Sequence, residues 1–379
     1  MRGSYEGLVL QLGGGSLRIE SLSGRPLSVA LVEPFAIASG CVDTTRAVEV
    51  EARVVWNGKR ATGFGEAACL PPVTVEDQVD VLREIRRAAP SLTGRDIPAD
   101  AAGIADALDA PLSALPVTRA GIETALLDAM AQVAGVPLRA LLGGDLGART
   151  RALETDITIS IAEPERMARL ALAWHARGFR VLKIKVGANL ESDVRALTAI
   201  GRAVPDARLR IDANAGLTPR EAISLARECE SLGLAVECWE QPCATGDLDA
   251  MAEVARALDA PVIADESVKT YKDFLTLVER RCADGVNLKI AKMGGLLTAY
   301  RIGVEAKAHG LKLMAGGMVE TRLGMTAGAH LACALGGVDF VDLDTAWLLE
   351  SDPYEGGYRA EGPRYTLADK PGLGVTRRP

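Results

Sequence analysis

"VLKIKVG", residues 181–187, sets two lysines into a run of Val, Ile and Leu that otherwise has the composition of a buried strand. Side chains alternate along a strand, so Lys183 and Lys185 share one face, ~6.6 Å apart, while Leu182, Ile184 and Val186 share the other. If helices cover the apolar face, both ammonium groups point into whatever the second face encloses. Snorkelling at a sheet edge is the other use of such lysines, and the flanking sequence decides between the two.

Similar runs recur downstream: "DITISI" (156–161), "LRIDAN" (209–214), "VECWEQP" (236–242), "PVIADES" (261–267), "GVNLKI" (285–290), "LKLMAGG" (311–317) and "FVDLD" (340–344). With 181–186 they make eight strands, separated by helical patterns such as 164–178 and 218–233. In the second of these Thr218 is the N-cap, Pro219 opens the helix and Glu221 sits at the capping-box position. Alternation of strand and helix implies parallel βαβ units and an eight-stranded barrel, with a doubly wound open sheet as the alternative. Residues 348–374 are too rich in Gly and Pro for an eighth long helix, so the barrel has seven and the tail leaves it.

The first 150 residues read differently. Residues 31–67 carry several strands with turns at Asn57-Gly58 and Gly63, as in an antiparallel meander, followed by helical patterns near 75–89, 100–108 and 117–134. The expected fold class is therefore α/β, a (β/α)7β modified TIM barrel with an N-terminal α+β capping domain. The expected division is a flexible lead-in at 1–16, a cap at 17–150 to which 349–379 returns, and a catalytic barrel at 151–348.

Composition narrows the partners. The 379 residues are 48% hydrophobic with a net charge of −7, which leaves no basic surface for nucleic acid or anionic lipid, and no apolar run suits a bilayer. The N-terminus lacks the pattern of a secretory signal, so a cytoplasmic location is expected. Seven cysteines, odd in number and without a C-x-x-C pair, read as buried free thiols. The three histidines, His175, His309 and His330, fall in helix-like stretches and read as surface or packing residues. A small-molecule partner is expected.

Ionisable residues gather at the C-terminal ends of the strands, where barrels of this class place their active sites. Asp212, Glu240 and Asp265, 28 and 25 residues apart, come one from each of three successive strands. Alone, each is as well explained as a strand-end acid capping the next helix. In register, three carboxylates repel without a cation, and their hard oxygens with open positions suit Mg²⁺. Placed near one another and a metal, Lys183 and Lys185 are expected to lose proton affinity, because neighbouring positive charge and burial disfavour the charged form, and so to serve as bases near neutral pH. Lys292 rivals Lys289 on strand six, but it lies past the strand and reads as a helix-start residue.

With "KIK" (183–185), "DAN" (212–214), "EQP" (240–242), "ADES" (264–267) and "LKIAKMGG" (288–295) in order, the chain resembles the enolase superfamily in its muconate-lactonizing subgroup. The resemblance implies Asp212, Glu240 and Asp265 as ligands of one Mg²⁺, Lys185 and Lys289 as acid/base catalysts on opposite faces of the substrate, and Lys183 as electrostatic support that also binds substrate. Asn214 and Glu266 would back these groups. Asp342 and Asp344 resemble the Asp-x-Asp signature of the dipeptide epimerases, suited to a free α-ammonium, although Asp342 could instead cap the following segment. Thr158 and the turn Gly317-Met318-Val319 would border the substrate.

The implied activity is inversion of the C-terminal residue of an L,L-dipeptide through a metal-stabilised enolate, in a homo-oligomer. N-acyl amino acid racemase, o-succinylbenzoate synthase and muconate cycloisomerase use the same lysines, and a non-catalytic ligand-binding barrel is the alternative of another class. One departure bears on substrate: the first cap loop, 34–45, has no basic residue, with Gly40 where the acidic-dipeptide enzymes carry arginine. A hydrophobic, small or basic second residue is expected in place of Glu.

Overall fold

A computed structural model describes residues 14–37 and 40–379. Most of the expected lead-in, and residues 38 and 39 of the first cap loop, lie outside the described residues. The eight runs form the strands Ile157–Ile159, Val181–Lys185, Arg208–Asp212, Ala235–Glu240, Val262–Ala264, Gly285–Leu288, Lys312–Gly316 and Phe340–Asp342, here the first to eighth barrel strands. They pair in parallel and in sequential order. An open doubly wound sheet would leave the outer two apart. Here Asp156 N donates to the Val341 carbonyl at 3.1 Å, Leu343 N to Thr155 Oγ1 at 2.8 Å and Thr158 N to Asp344 Oδ2 at 2.5 Å, which closes the seam.

Sequence sets the boundaries of the outer helices. Thr218 and Glu221 exchange side-chain and backbone hydrogen bonds at the start of Pro219–Ser231, satisfying donors that the first turn leaves free. Helices follow the first seven strands. After the eighth only the 3₁₀ turn Thr345–Trp347 forms, and the chain leaves the barrel. Between the third and fourth strands the register shifts, with Arg210 opposite Cys238, so that Glu237 is an extra, bulged residue.

The cap begins with the meander Ser16–Ile37, Gly40–Trp56 and Lys59–Cys69, whose second turn uses Asn57 and Gly58, both at positive φ. Helices Gln78–Leu92, Ala101–Leu112 and Pro116–Ala134 match the expected patterns, and a fourth, Leu138–Arg149, was not foreseen. Pro116–Ala134 is buried on nearly every side, because the meander packs on one face and the barrel on the other. Gly63 and Gly65 permit that approach: a Cβ on them would stand 2.1 and 2.2 Å from the Ala125 and Gly121 carbonyl oxygens.

Two buried cap carboxylates hold the cap over the barrel mouth. Glu66 accepts from the Thr321 and Gly324 amides, at 3.0 and 2.9 Å, at the start of barrel helix Arg322–Leu335. Glu123 accepts from Leu297 N at 2.8 Å at the start of Leu296–Ala308. Each lies at a positive helix end and satisfies amides that have no helical partner. The tail pairs Tyr358–Glu361 and Arg364–Leu367 with Ala152–Glu154, then meets the meander where Tyr354 and Arg377 bond Glu49. Among the described residues, no helix is long and apolar enough to cross a membrane.

Candidate active site

Strand register delivers the charged residues to one place: Lys185 lies opposite Asp212, and Asp212 opposite Glu240. A cavity between barrel and cap is lined by Lys183, Lys185, Lys289, Asn214, Glu266, Asp342, Asp344, Thr158 and the turn Gly317-Met318-Val319. Phe35, Ile37, Leu70 and Val73 of the cap form its apolar roof. Asp212, Glu240 and Asp265 lie beneath this lining, at most 1% exposed. A larger cavity opens at the other end of the strands, where Arg208 and Arg210 are paired with Glu237, and Asp339 with Lys312.

The floor is a dense ion-pair network. Lys183 Nζ stands 2.9 Å from Asp212 Oδ2, 2.6 Å from Glu240 Oε2 and 2.7 Å from Asp342 Oδ2, and Lys185 Nζ 2.6 Å from Asp212 Oδ2. From the sixth strand, Lys289 Nζ is 2.6 Å from Asp265 Oδ2 and 3.8 Å from Glu240 Oε1. Asn214 donates from its amide nitrogen to Glu266 Oε1 at 3.0 Å and from its backbone to Asp212 Oδ1 at 2.9 Å.

Three further side chains support the site: Lys292, expected only as a helix-start residue, and Asn287 and Gln241, to which the sequence assigned no role. Lys292 lies past the strand, in the short helix Ile290–Met293, but it is a buried partner of Asp265, donating to Oδ1 at 2.6 Å and to the carbonyl at 2.5 Å. Asn287 donates to Glu240 Oε1 at 2.8 Å, and Gln241 Oε1 accepts from Asp265 N at 2.9 Å. The inward parity of Asn287 with Lys289 was the available signal for one of them. Asn214, Ala215 and Gln241 adopt positive φ at the third and fourth strand ends, a concentration of strained backbone typical of functional sites.

Burial favours loss of the proton from Lys183, but Asp212, Asp342 and Glu240 outweigh it and hold its pKa well above the ordinary lysine value. Lys289 is likewise raised, by Asp265 and Glu240 against burial. Close carboxylates, each within ion-pair distance, act more strongly on these ammonium groups than neighbouring cations do. Lys292 is instead lowered, mainly by burial.

The donor set fits a divalent cation. Seven carboxylates (Asp156, Asp212, Glu240, Asp265, Glu266, Asp342, Asp344) meet five cations (Lys183, Lys185, Arg210, Lys289, Lys292), so the interior carries excess negative charge. Burial and Asp212 push Glu240 up to about 8, and the buried Glu266 Oε2 accepts no hydrogen bond. Oxygen donors with spare acceptor capacity suit Mg²⁺. Among the described residues, the carboxylates whose oxygens approach within 4.8 Å of one another are Asp156, Asp342 and Asp344, not Asp212, Glu240 and Asp265. The latter three are spread around two ammonium groups, Asp212 and Glu240 sharing Lys183, and Glu240 and Asp265 sharing Lys289.

Comparison with known proteins agrees with this geometry. The family model for the mandelate racemase/muconate lactonizing enzyme N-terminal domain matches residues 25–143, and that for the enolase C-terminal domain-like family matches 166–379. An L-Ala-D/L-Glu epimerase of Bacillus subtilis is 35% identical, over 95% of this chain and 97% of its own. A hydrophobic dipeptide epimerase of Enterococcus faecalis is 33% identical, over 95% and 100%. The structure of the Enterococcus faecalis dipeptide epimerase complexed with Mg and the dipeptide L-Leu-L-Tyr superposes with a TM-score of 0.87 at 32% identity, covering 95% of this chain and all of that one. Fold, motif order and near full-length similarity thus agree, and the chain belongs to the enolase superfamily, in its muconate-lactonizing subgroup and most like the dipeptide epimerases.

Proposed function

We propose that the protein is a Mg²⁺-dependent dipeptide epimerase that inverts the α-carbon of the C-terminal residue by two-base proton transfer. The observation that carries this reading is the placement of Lys185 at the end of the second of eight strands and of Lys289 just past the end of the sixth, both lining one cavity, with Asp342 and Asp344 at its edge. Asp212, Glu240 and Asp265 would hold the ion. When bound, it supplies positive charge to a substrate carboxylate and so acidifies the adjoining α-proton. With Asp265 and Glu240 committed to an ion, Lys289 would lose the partners that hold its proton and would serve as a base. One lysine then takes the α-proton from one face, and the opposite lysine delivers a proton to the other. Lys183 places its charge beside the substrate carboxylate.

Asp342 and Asp344 are the counter-charge for a free α-ammonium, which N-acyl amino acids, muconate and succinylbenzoate lack. Thr158 and the turn Gly317-Met318-Val319 border the substrate. Among the described residues the cap offers Phe35, Ile37, Leu70 and Val73 and no cation to the cavity, so apolar side chains are favoured over Glu. The test is loss of the α-proton NMR signal in D₂O with Mg²⁺ across a dipeptide library that includes N-acetylated members. Exchange in hydrophobic dipeptides ahead of L-Ala-L-Glu supports the reading, and exchange confined to N-acylated amino acids refutes it.

A further inference from the structure

Asp156 has no part in the mechanism above, yet it is fully buried at the seam between the eighth and first strands. It lies two residues before Thr158, so its side chain shares the inward face one pleat deeper. Its Oδ2 accepts from Arg210 Nη1 at 2.8 Å, and its Oδ1 has no hydrogen-bond partner. Arg210 is itself fixed: Nη1 also donates to the Val341 carbonyl at 2.8 Å, and Nε to the bulged Glu237 at 3.0 Å. One strut therefore spans the interior from the third strand to both sides of the seam.

One oxygen from each of Asp156, Asp342 and Asp344 lies within 4.8 Å of the other two. Like charges that close repel strongly in a low-dielectric interior, so a fold retains them only where positive charge compensates. Arg210 serves Asp156 and Lys183 serves Asp342, while Asp344 is held by the amide and side chain of Thr158 and, among the described residues, forms no ion pair. The cluster is one positive charge short, and the cavity opens onto two of its members.

We propose that Asp156, anchored by Arg210, is a positioning residue that acts through Asp342 and Asp344 to keep this end of the cavity selective for a substrate with a free, cationic amino terminus. The proposal rests on the dipeptide reading. The test compares wild type with Asp156→Asn, which removes the charge but keeps an acceptor for Arg210, using KM and kcat for a dipeptide and the competitive Ki of its N-acetylated form. KM should rise about tenfold with kcat within about threefold of wild type, while Ki stays within about twofold. KM and Ki rising together, KM unchanged, or kcat falling alone would overturn the proposal. Failure of both Asp156→Asn and Asp156→Ser to fold would make the residue structural and overturn it too. A wild-type enzyme that turns over no dipeptide fails the epimerase reading itself, and this proposal with it.

Discussion

Replacing Lys289 by Met separates the two halves of the proposed reaction. Met fills nearly the same buried volume, and Asp265 keeps Lys292 on Oδ1 at 2.6 Å and on its carbonyl at 2.5 Å, so the carboxylate stays in place. The lost group is one of two opposed proton carriers. A positioned general acid or base contributes roughly 10²- to 10⁴-fold, so inversion should fall by that factor for both epimers. Exchange should not fall equally. The epimer whose α-proton faces Lys185 can still lose and regain a proton on that side, and its exchange should remain within about tenfold of wild type. In D₂O this appears as deuterium entering one epimer with retention of configuration, read by ¹H NMR and chiral chromatography. Inversion within tenfold of wild type, or equal loss of exchange from both epimers in a folded variant that still binds Mg²⁺, would refute the two-base assignment.

Other outcomes follow from the same geometry. Mg²⁺ should raise Tm saturably and EDTA reverse it, since a ligand at a hundredfold excess over its Kd stabilises by about 2.7 kcal/mol, and Asp212→Asn should blunt the response in a thermal-shift titration. Glu66 and Glu320, buried where the cap meets the barrel, are pushed up to about 8 and about 7 by burial, with each other's charge adding to Glu66. Each binds its proton more tightly folded than unfolded, so its contribution is whole below about pH 4.5 and is lost as pH climbs through 7 to 8. Glu320→Gln should therefore lose less Tm than wild type between pH 6 and 9, by on the order of 3 °C. Gly295→Ala forces a Cβ to 2.2 Å from the Glu123 carboxylate at φ 138°, and equilibrium denaturation should show a loss of roughly 2–4 kcal/mol.

What the sequence disclosed is what local pattern encodes. Lys183 and Lys185 were readable because alternation along a strand is a local property, and Asp212, Glu240 and Asp265 because one βα unit separates each from the next. Thr218 and Glu221 announced their helix in four residues. What stayed hidden depends on partners far along the chain. Asp156 reads as an ordinary strand-start acid until Arg210 reaches it across the interior, and Lys292 reads as a helix start until the short helix folds back onto Asp265. The helix Leu138–Arg149 contains Gly143 and Gly144, the second at positive φ and non-helical, so its sequence resembles a turn. The hold of the carboxylates on Lys183 and Lys289 stays hidden for a related reason: the sign of a pKa shift follows from contact distances, which spacing does not supply.

The most direct test of the account is to incubate wild-type enzyme and Mg²⁺ in D₂O with an L,L-dipeptide bearing an apolar C-terminal residue, and to follow label and configuration at both α-carbons. The account predicts that the C-terminal α-carbon gains one deuterium and equilibrates between L and D, while the N-terminal α-carbon keeps its proton and its configuration. Label at the N-terminal residue, or no label under conditions where Mg²⁺ raises Tm, would contradict it.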